Sequence, residues 1–437
     1  MIVIKNALIV DPSIGLEEVR DLLIEDGKIK DIQKPSTFDG LAVEKKIDAS
    51  GRWLMPGFID LHVHLREPGY EWKETIKSGS EAAIAGGFTT ICCMPNTKPA
   101  NDNAEITKFI LDKALHAQAA RVMPIGAVTV GLQGKEMAPL SELREAGCVA
   151  FSDDGEPVHN SGIMRRALEW ARMLDAVICC HEEDKNLSCG GSMNESALSS
   201  KLGLKGWPKV AEEVMIARDI ELARATKSRV HICHISTARS LELIRRAKND
   251  GIPVTCEVTP HHLVLTEDAV GDYDTNAKMS PPLRDIEDCL ALIEGLNDGT
   301  IDVIASDHAP HELDSKQTEF SKAAYGILGL QSSLPLVMEF IKNGKLKRKR
   351  AVELLSTSAA SILKLDLGSL RKGNPADLVL LNPDKKWTFT KEELKSLSFN
   401  SPFIGREMTG KAETVFVNGK IMLHNSESVI SEFKDGK

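Results

Sequence analysis

Residues 56–66 read Pro56-Gly57-Phe58-Ile59-Asp60-Leu61-His62-Val63-His64-Leu65-Arg66. In a β-strand alternate side chains share a face, so His62 and His64 at the end of this run point to the same side and suit a shared metal ion. Two strand histidines can equally be hydrogen-bonded core residues, and the rest of the chain has to decide between these readings. The run is the first of eight β-type segments: Phe58–His64, Thr89–Met94, Val122–Ala127, Cys148–Phe151, Val177–His181, Val230–His234, Val254–Thr259 and Val303–Asp307. Between them lie stretches such as Thr75–Ala85, Met164–Leu174 and Leu241–Lys248, whose apolar residues recur at three- and four-residue spacing. Eight strand–helix units predict an α/β fold, a (β/α)8 TIM barrel over residues 54–365.

The ends follow a different pattern. Residues 1–53 carry short alternating runs, Met1–Ile4, Ala7–Val10 and Asp21–Ile24, with a turn at Glu25-Asp26-Gly27-Lys28. Residues 366–437 repeat that style in Ala376–Leu381 and Thr414–Lys420. Strands need partners, so both ends are expected to assemble one small, β-sandwich-like domain flanking the barrel, in preference to two unrelated terminal modules.

At 437 residues there is room for both units, and 42% hydrophobic with 27% charged residues is ordinary globular composition. The formal charge of −9 disfavours nonspecific binding to nucleic acid or to an anionic membrane, so an anionic substrate must meet locally placed positive charge. No signal-peptide pattern opens the chain and no apolar stretch reaches the roughly 20 residues of a membrane span, which predicts a soluble protein. Nine cysteines without a C-x-x-C are expected to be buried free thiols, consistent with a reducing cytoplasm.

The other strand ends decide the reading of the H-x-H. Asp153-Asp154 follow the fourth predicted strand, His181 ends the fifth, His234 the sixth and Asp307 the eighth. Barrel enzymes build their active sites at this C-terminal rim. Imidazole and carboxylate are the ligands zinc accepts where one position stays open for water, and four histidines with two aspartates suffice for two metals. The implied chemistry is metal-assisted hydrolysis of an amide-like bond.

These residues carry a family resemblance. The opening run, Met94-Pro95-Asn96-Thr97, Phe151-Ser152-Asp153-Asp154-Gly155, His181-Glu182-Glu183-Asp184, Ser306-Asp307-His308-Ala309-Pro310-His311 and the closing Gly373-Asn374-Pro375-Ala376-Asp377-Leu378 together resemble the amidohydrolase superfamily and, within it, the dihydroorotases. The resemblance implies that His62, His64 and Asp307 bind one zinc, that His181 and His234 bind a second, and that Asp154 bridges them. Related hydantoinases, dihydropyrimidinases and allantoinases bridge their metals with a carboxylated lysine at the end of strand four. Here that strand ends Cys148-Val149-Ala150-Phe151-Ser152-Asp153-Asp154, without lysine, which points to the aspartate-bridged type.

The reaction so implied is the reversible cyclisation of N-carbamoyl-L-aspartate to dihydroorotate in pyrimidine biosynthesis, through a hydroxide between the two zinc ions and with Asp307 as general acid and base. The substrate carboxylate would be held by Arg66, Asn96 and His311, with His64, Ser280, Tyr325 and Gly326 also at the substrate. A guanidinium matches a carboxylate with two parallel hydrogen bonds. Ser280 stands where many relatives have asparagine and Tyr325 where many have phenylalanine, which weakens a side-chain contact at 280 and leaves backbone contacts from Tyr325 and Gly326. A homodimer is expected, and a complex with an aspartate transcarbamoylase is compatible with the sequence. His231, three residues before His234, is read on the opposite strand face, and His231, His261, His262 and His308 as supporting or structural. Glu312–Tyr325 is a candidate mobile loop over the site, or an ordinary surface loop. Competing readings are another cyclic amidase, a hydantoinase or allantoinase, and an inactive scaffold for an aspartate transcarbamoylase.

Overall fold

The computed structural model describes residues 1–430. The expected composite domain runs to residue 437, and its last seven positions lie outside the described residues. Eight parallel strands form the barrel: Phe58–Val63, Phe88–Cys93, Arg121–Ala127, Ala150–Ser152, Ile178–Cys180, Val230–Ile232, Val254–Val258 and Val303–Ile304. Between the last and the first, the ring is closed by a parallel bridge from Val63 to His308, with the His64 N–H donating to the His308 carbonyl at 2.9 Å.

Alternation along the strands builds two layers. Cys92, Ile125, Ala150, Val177, Cys179, Cys233, Val303 and Ala305 fill the interior, which Ala359, Ile362 and Leu363 of the helix Ser358–Leu363 help to close. The residues between them, such as Ile91, Ile178, Ile232 and Ile304, pack outward against helix residues that include Ile84, Ile110, Leu168, Ile216 and Leu292. The helices begin where polar caps allow. Thr75 caps Ile76–Gly86 by accepting from the Ser78 N–H, Ser78 Oγ accepts from the Thr75 N–H, and Gly87 ends the helix at φ 91°.

Both chain ends meet in one nine-stranded sheet. Trp53–Pro56 pairs in parallel with Ile2–Asp11 on one side and antiparallel with Leu378–Thr388 on the other. Leu378 and Leu380 join Ile4, Ile9, Leu22, Leu54 and Phe416 in the sheet's own core, while Val379 and Leu381 face the barrel layer with Met55 and Val415. The two short runs expected at Met1–Ile4 and Ala7–Val10 are one strand, Ile2–Asp11, whose register shifts between Ile4 and Ala7 next to Asn6 at φ 60°. A bulge interrupts the alternation without ending the strand. The turn at Asp26-Gly27 has positive φ at both residues, 51° and 75°, as a two-residue hairpin between Leu16–Glu25 and Lys28–Gln33 requires. Arg121 of the third barrel strand pairs with Asp377 at 2.6 Å and donates to Asn418, tying barrel to sheet.

Candidate active site

Strand alternation delivers most of the site. Val177, Cys179 and His181 form one inward series, Ala150, Ser152 and Asp154 a second, Val303, Ala305 and Asp307 a third, and Cys92, Met94 and Asn96 a fourth. Two strands need a distortion. Ile59 and Leu61 point inward, and only because the register shifts between Asp60 and Val63 do His62 and His64 point inward as well, with Val63 and Leu65 turned to the helices. On the sixth strand His231 and Cys233 are the inward pair, so alternation alone would send His234 outward. Its backbone sits at φ 32°, beyond the strand end at Ile232, and this turns the imidazole to within 3.5 Å of Asp154. His231 is therefore not on the opposite face from the site, as its spacing from His234 predicts; it lies inside the barrel with Nε2 3.1 Å from Glu257.

Six side chains converge. His62 Nε2 lies 3.3 Å from Asp154 Oδ1 and 3.5 Å from Asp307 Oδ1, and His64 Nε2 lies 3.2 Å from Asp307 Oδ1 and 3.5 Å from Asp154 Oδ2. His181 Nδ1 and His234 Nε2 are 3.0 Å apart and stand 3.6 and 3.5 Å from Asp154 Oδ1. Ligands about 2.0–2.1 Å from a common tetrahedral centre are about 3.3–3.4 Å from one another, so His62, His64 and Asp307 have the spacing of a metal shell, and so do Asp154, His181 and His234. Asp154 touches both groups. His62 Nε2 and Asp154 Oδ1 are buried without a hydrogen-bond partner, although nearly all buried polar atoms have one. The donor set and these orphaned atoms fit a metal ion.

Electrostatics point the same way. Burial opposes charge on His62, yet Asp154, Asp307 and Glu257 raise its pKa well above the ordinary value. Burial likewise opposes charge on Asp154, but His62, His181 and His234 hold its carboxyl well below the usual range. Three buried carboxylates thus keep negative charge where only cations can balance it.

Supporting contacts separate neighbours that the sequence leaves ambiguous. Asp153 turns away from the cluster: its Oδ1 accepts from the Val128 and Thr129 N–H groups at 2.8 and 2.9 Å, and its Oδ2 from the Thr129 hydroxyl. Glu183 lies 3.4 Å from His181 Nε2 and accepts from Ser188, whereas Asp184 caps the short helix Lys185–Ser188. His308 meets Glu74 at 3.3 Å, and His262 bridges Thr259 and the Pro281 carbonyl. Glu257, which sequence reasoning passed over, has a legible signal, an acidic residue inside the apolar run Val254–Val258.

The cluster opens into a cavity of about 600 Å³. Arg66, Asn96, Ser280, His311 and Tyr325 line it together with His64, Asp154, His181, His234 and Asp307. Asn96 Oδ1 is 2.9 Å from His64 Nδ1, and Arg66 donates to the Pro310 carbonyl at 3.2 Å with Nη2 3.4 Å from His311. The Gly326 N–H donates to the Lys278 carbonyl at 2.9 Å, and its own carbonyl accepts from Lys316 and Asn400. Its contribution is shape: at φ 153°, a Cβ there would stand 2.5 Å from the Ala309 oxygen and 2.8 Å from the His311 ring.

L-Hydantoinase from Arthrobacter aurescens is similar over 98% of this chain and 97% of its own, with a TM-score of 0.88 and 26% identity. A D-hydantoinase from Thermus sp. is similar with a TM-score of 0.82 and 25% identity over 98% and 96% of the two chains. Fold and site define a cyclic amidohydrolase. A sequence profile described as Dihydro-orotase-like matches residues 51–240. Dihydroorotases from Trichlorobacter lovleyi and Geotalea daltonii are 48% and 49% identical over 424 and 421 residues, each covering 96% of this chain and 99% of the relative. The chain belongs to the dihydroorotase family.

Proposed function

We propose that the protein interconverts N-carbamoyl-L-aspartate and (S)-dihydroorotate plus water, the ring-closing step of pyrimidine biosynthesis, as an aspartate-bridged enzyme holding two zinc ions. The observation that carries this reading is the position of Asp154, which reaches both histidine groups with one carboxylate. No lysine is needed between them. His62, His64 and Asp307 would hold one zinc, His181 and His234 the other, with Asp154 between them. Zinc at such sites lowers the pKa of water to about 7 and polarises a carbonyl.

The chain's own groups account for the rest. Asp307 meets both His62 and His64 through Oδ1, which leaves its second oxygen for proton exchange. In hydrolysis it takes the proton of the attacking water and delivers it to the ring nitrogen as the amide C–N bond breaks; in cyclisation it runs in reverse. Arg66, beside His311 and in the same cavity wall as Asn96, supplies the fork for the substrate carboxylate and a local positive charge in a chain of formal charge −9. Tyr325 and Ser280 complete the wall. Nine free cysteines, eight of them buried, are in keeping with a reducing cytoplasm, and no helix among the described residues is long and apolar enough to cross a membrane.

The test is an assay of zinc-loaded protein with dihydroorotate and with N-carbamoyl-L-aspartate, alongside hydantoin and allantoin. Turnover of the first pair supports the proposal. Turnover of hydantoin or allantoin alone would assign a different cyclic amidase, and a fully metallated, inactive protein would leave a scaffold.

A further inference from the structure

Residues 312–326 follow the last barrel strand with little regular structure beyond the short helix Leu313–Lys316, and Tyr325 of this segment lines the cavity. Two buried lysines hold this segment. Lys278 is 1% and Lys316 4% exposed, and neither forms an ion pair among the described residues. Lys278 Nζ donates to the carbonyls of Ser321 (2.9 Å) and Ala323 (2.7 Å), and Lys316 Nζ to those of Ala324 (2.8 Å) and Gly326 (3.1 Å). Four carbonyls of one hexapeptide are thus collected by two lysine amino groups.

A buried ammonium without a carboxylate is expensive, and an apolar side chain of similar length would fill the same space at lower cost. What the ammonium adds is direction. Lys278 also stands over the Tyr325 ring at 4.2 Å, and its carbonyl accepts from the Gly326 N–H. At the far side Asn400 donates to the Ala309 and Gly326 carbonyls at 2.9 and 3.0 Å and accepts from the His311 N–H at 2.9 Å. Tyr325 and His311, both in the cavity wall, are therefore placed by groups that do not themselves line it.

We infer that Lys278 and Lys316 are positioning residues for the anionic substrate: an ammonium clasp that folds residues 321–326 over the cavity and sets Tyr325 and His311 against the substrate carboxylate. The inference rests on the dihydroorotase reading for the identity of that substrate. It places the effect of the two lysines on substrate affinity, because neither reaches the metal-ligand cluster where the amide bond would be broken.

The test uses the full-length, zinc-loaded enzyme and its variants Lys278→Met and Lys316→Met. Each variant is expected to raise KM for dihydroorotate at least tenfold, to keep kcat within about threefold, and to retain its zinc. In hydrogen exchange without substrate, the amides of Ala323, Ala324 and Gly326, which donate to Glu319, Ser315 and Lys278, should be protected in the wild type and exchange at least tenfold faster in the variants. An unchanged KM, or a fall in kcat at constant KM, would overturn the inference while leaving the activity in place. Unprotected amides in the wild type would overturn it even if neither variant folds. Absence of dihydroorotate turnover by the wild type would instead sink the substrate reading, since the exchange measurement is made without substrate.

Discussion

His62 donates from Nδ1 to Glu257 Oε1 at 2.7 Å, while the other oxygen of that carboxylate meets His231 Nε2 at 3.1 Å. The bond fixes the ring with Nε2 facing Asp154 and Asp307, the nitrogen that a zinc ion would take. Outer carboxylates of this kind orient a ligand histidine and raise its basicity. Glu257→Gln is expected to weaken zinc binding by about 10- to 100-fold. Competition with a chelator measures this directly, and unchanged affinity would reduce Glu257 to a packing role.

Asp307→Asn removes the proton carrier and leaves Arg66, Asn96 and His311 in the cavity. Turnover should fall by about 10²- to 10⁴-fold with dihydroorotate affinity little changed, zinc content being measured on the same samples. Comparable losses in affinity and turnover would contradict the shuttle role.

Gly326→Ala places a methyl group against the Ala309 oxygen and the His311 ring in a backbone region that side chains rarely adopt. The expected cost is about 1–3 kcal/mol of stability, with a raised KM as His311 is displaced. Thermal melting and steady-state kinetics read the two effects separately. A stable variant with normal KM would show that the loop has room this geometry denies.

Burial, helped by the negative charge of Glu183, pushes the Tyr325 phenol up to about 12, and its hydroxyl donates to the Gly191 carbonyl at 2.8 Å. The folded state keeps this proton to about pH 12 while the unfolded chain loses it near pH 10, so this group's contribution to stability declines as pH rises between those values. In an ultraviolet titration of tyrosinate, Tyr325→Phe should remove a step near pH 12 from the three-tyrosine curve. Removal of a step near pH 10 would contradict the burial argument.

Much of this architecture is legible in the chain, and the parts that are not have identifiable causes. Period-two alternation places His181 and Asp154 without further information, and it gives Asp307 the right face although that residue itself sits at φ 43° beyond its strand's end at Ile304. It fails for His231 and His234, whose faces depend on one left-handed residue, and it places His62 and His64 on one face without revealing the register shift that turns that face inward. Backbone distortions of this kind leave no mark in hydrophobic spacing. The N–H and carbonyl of Gly326 are held by Lys278, Lys316 and Asn400, partners 10 to 74 residues away along the chain. Long-range side-chain-to-backbone bonds of this kind have no local signature.

Trp53–Pro56 lies between Ile2–Asp11 and Leu378–Thr388. On the ribosome, the last of these strands emerges about 300 residues after the first two, tens of seconds later at roughly 5–20 residues per second. For that interval the nascent sheet has an open edge, the kind of surface on which chains aggregate. The whole barrel is translated while this edge waits, so closing the sheet comes last in synthesis and joins the beginning of the message to its end.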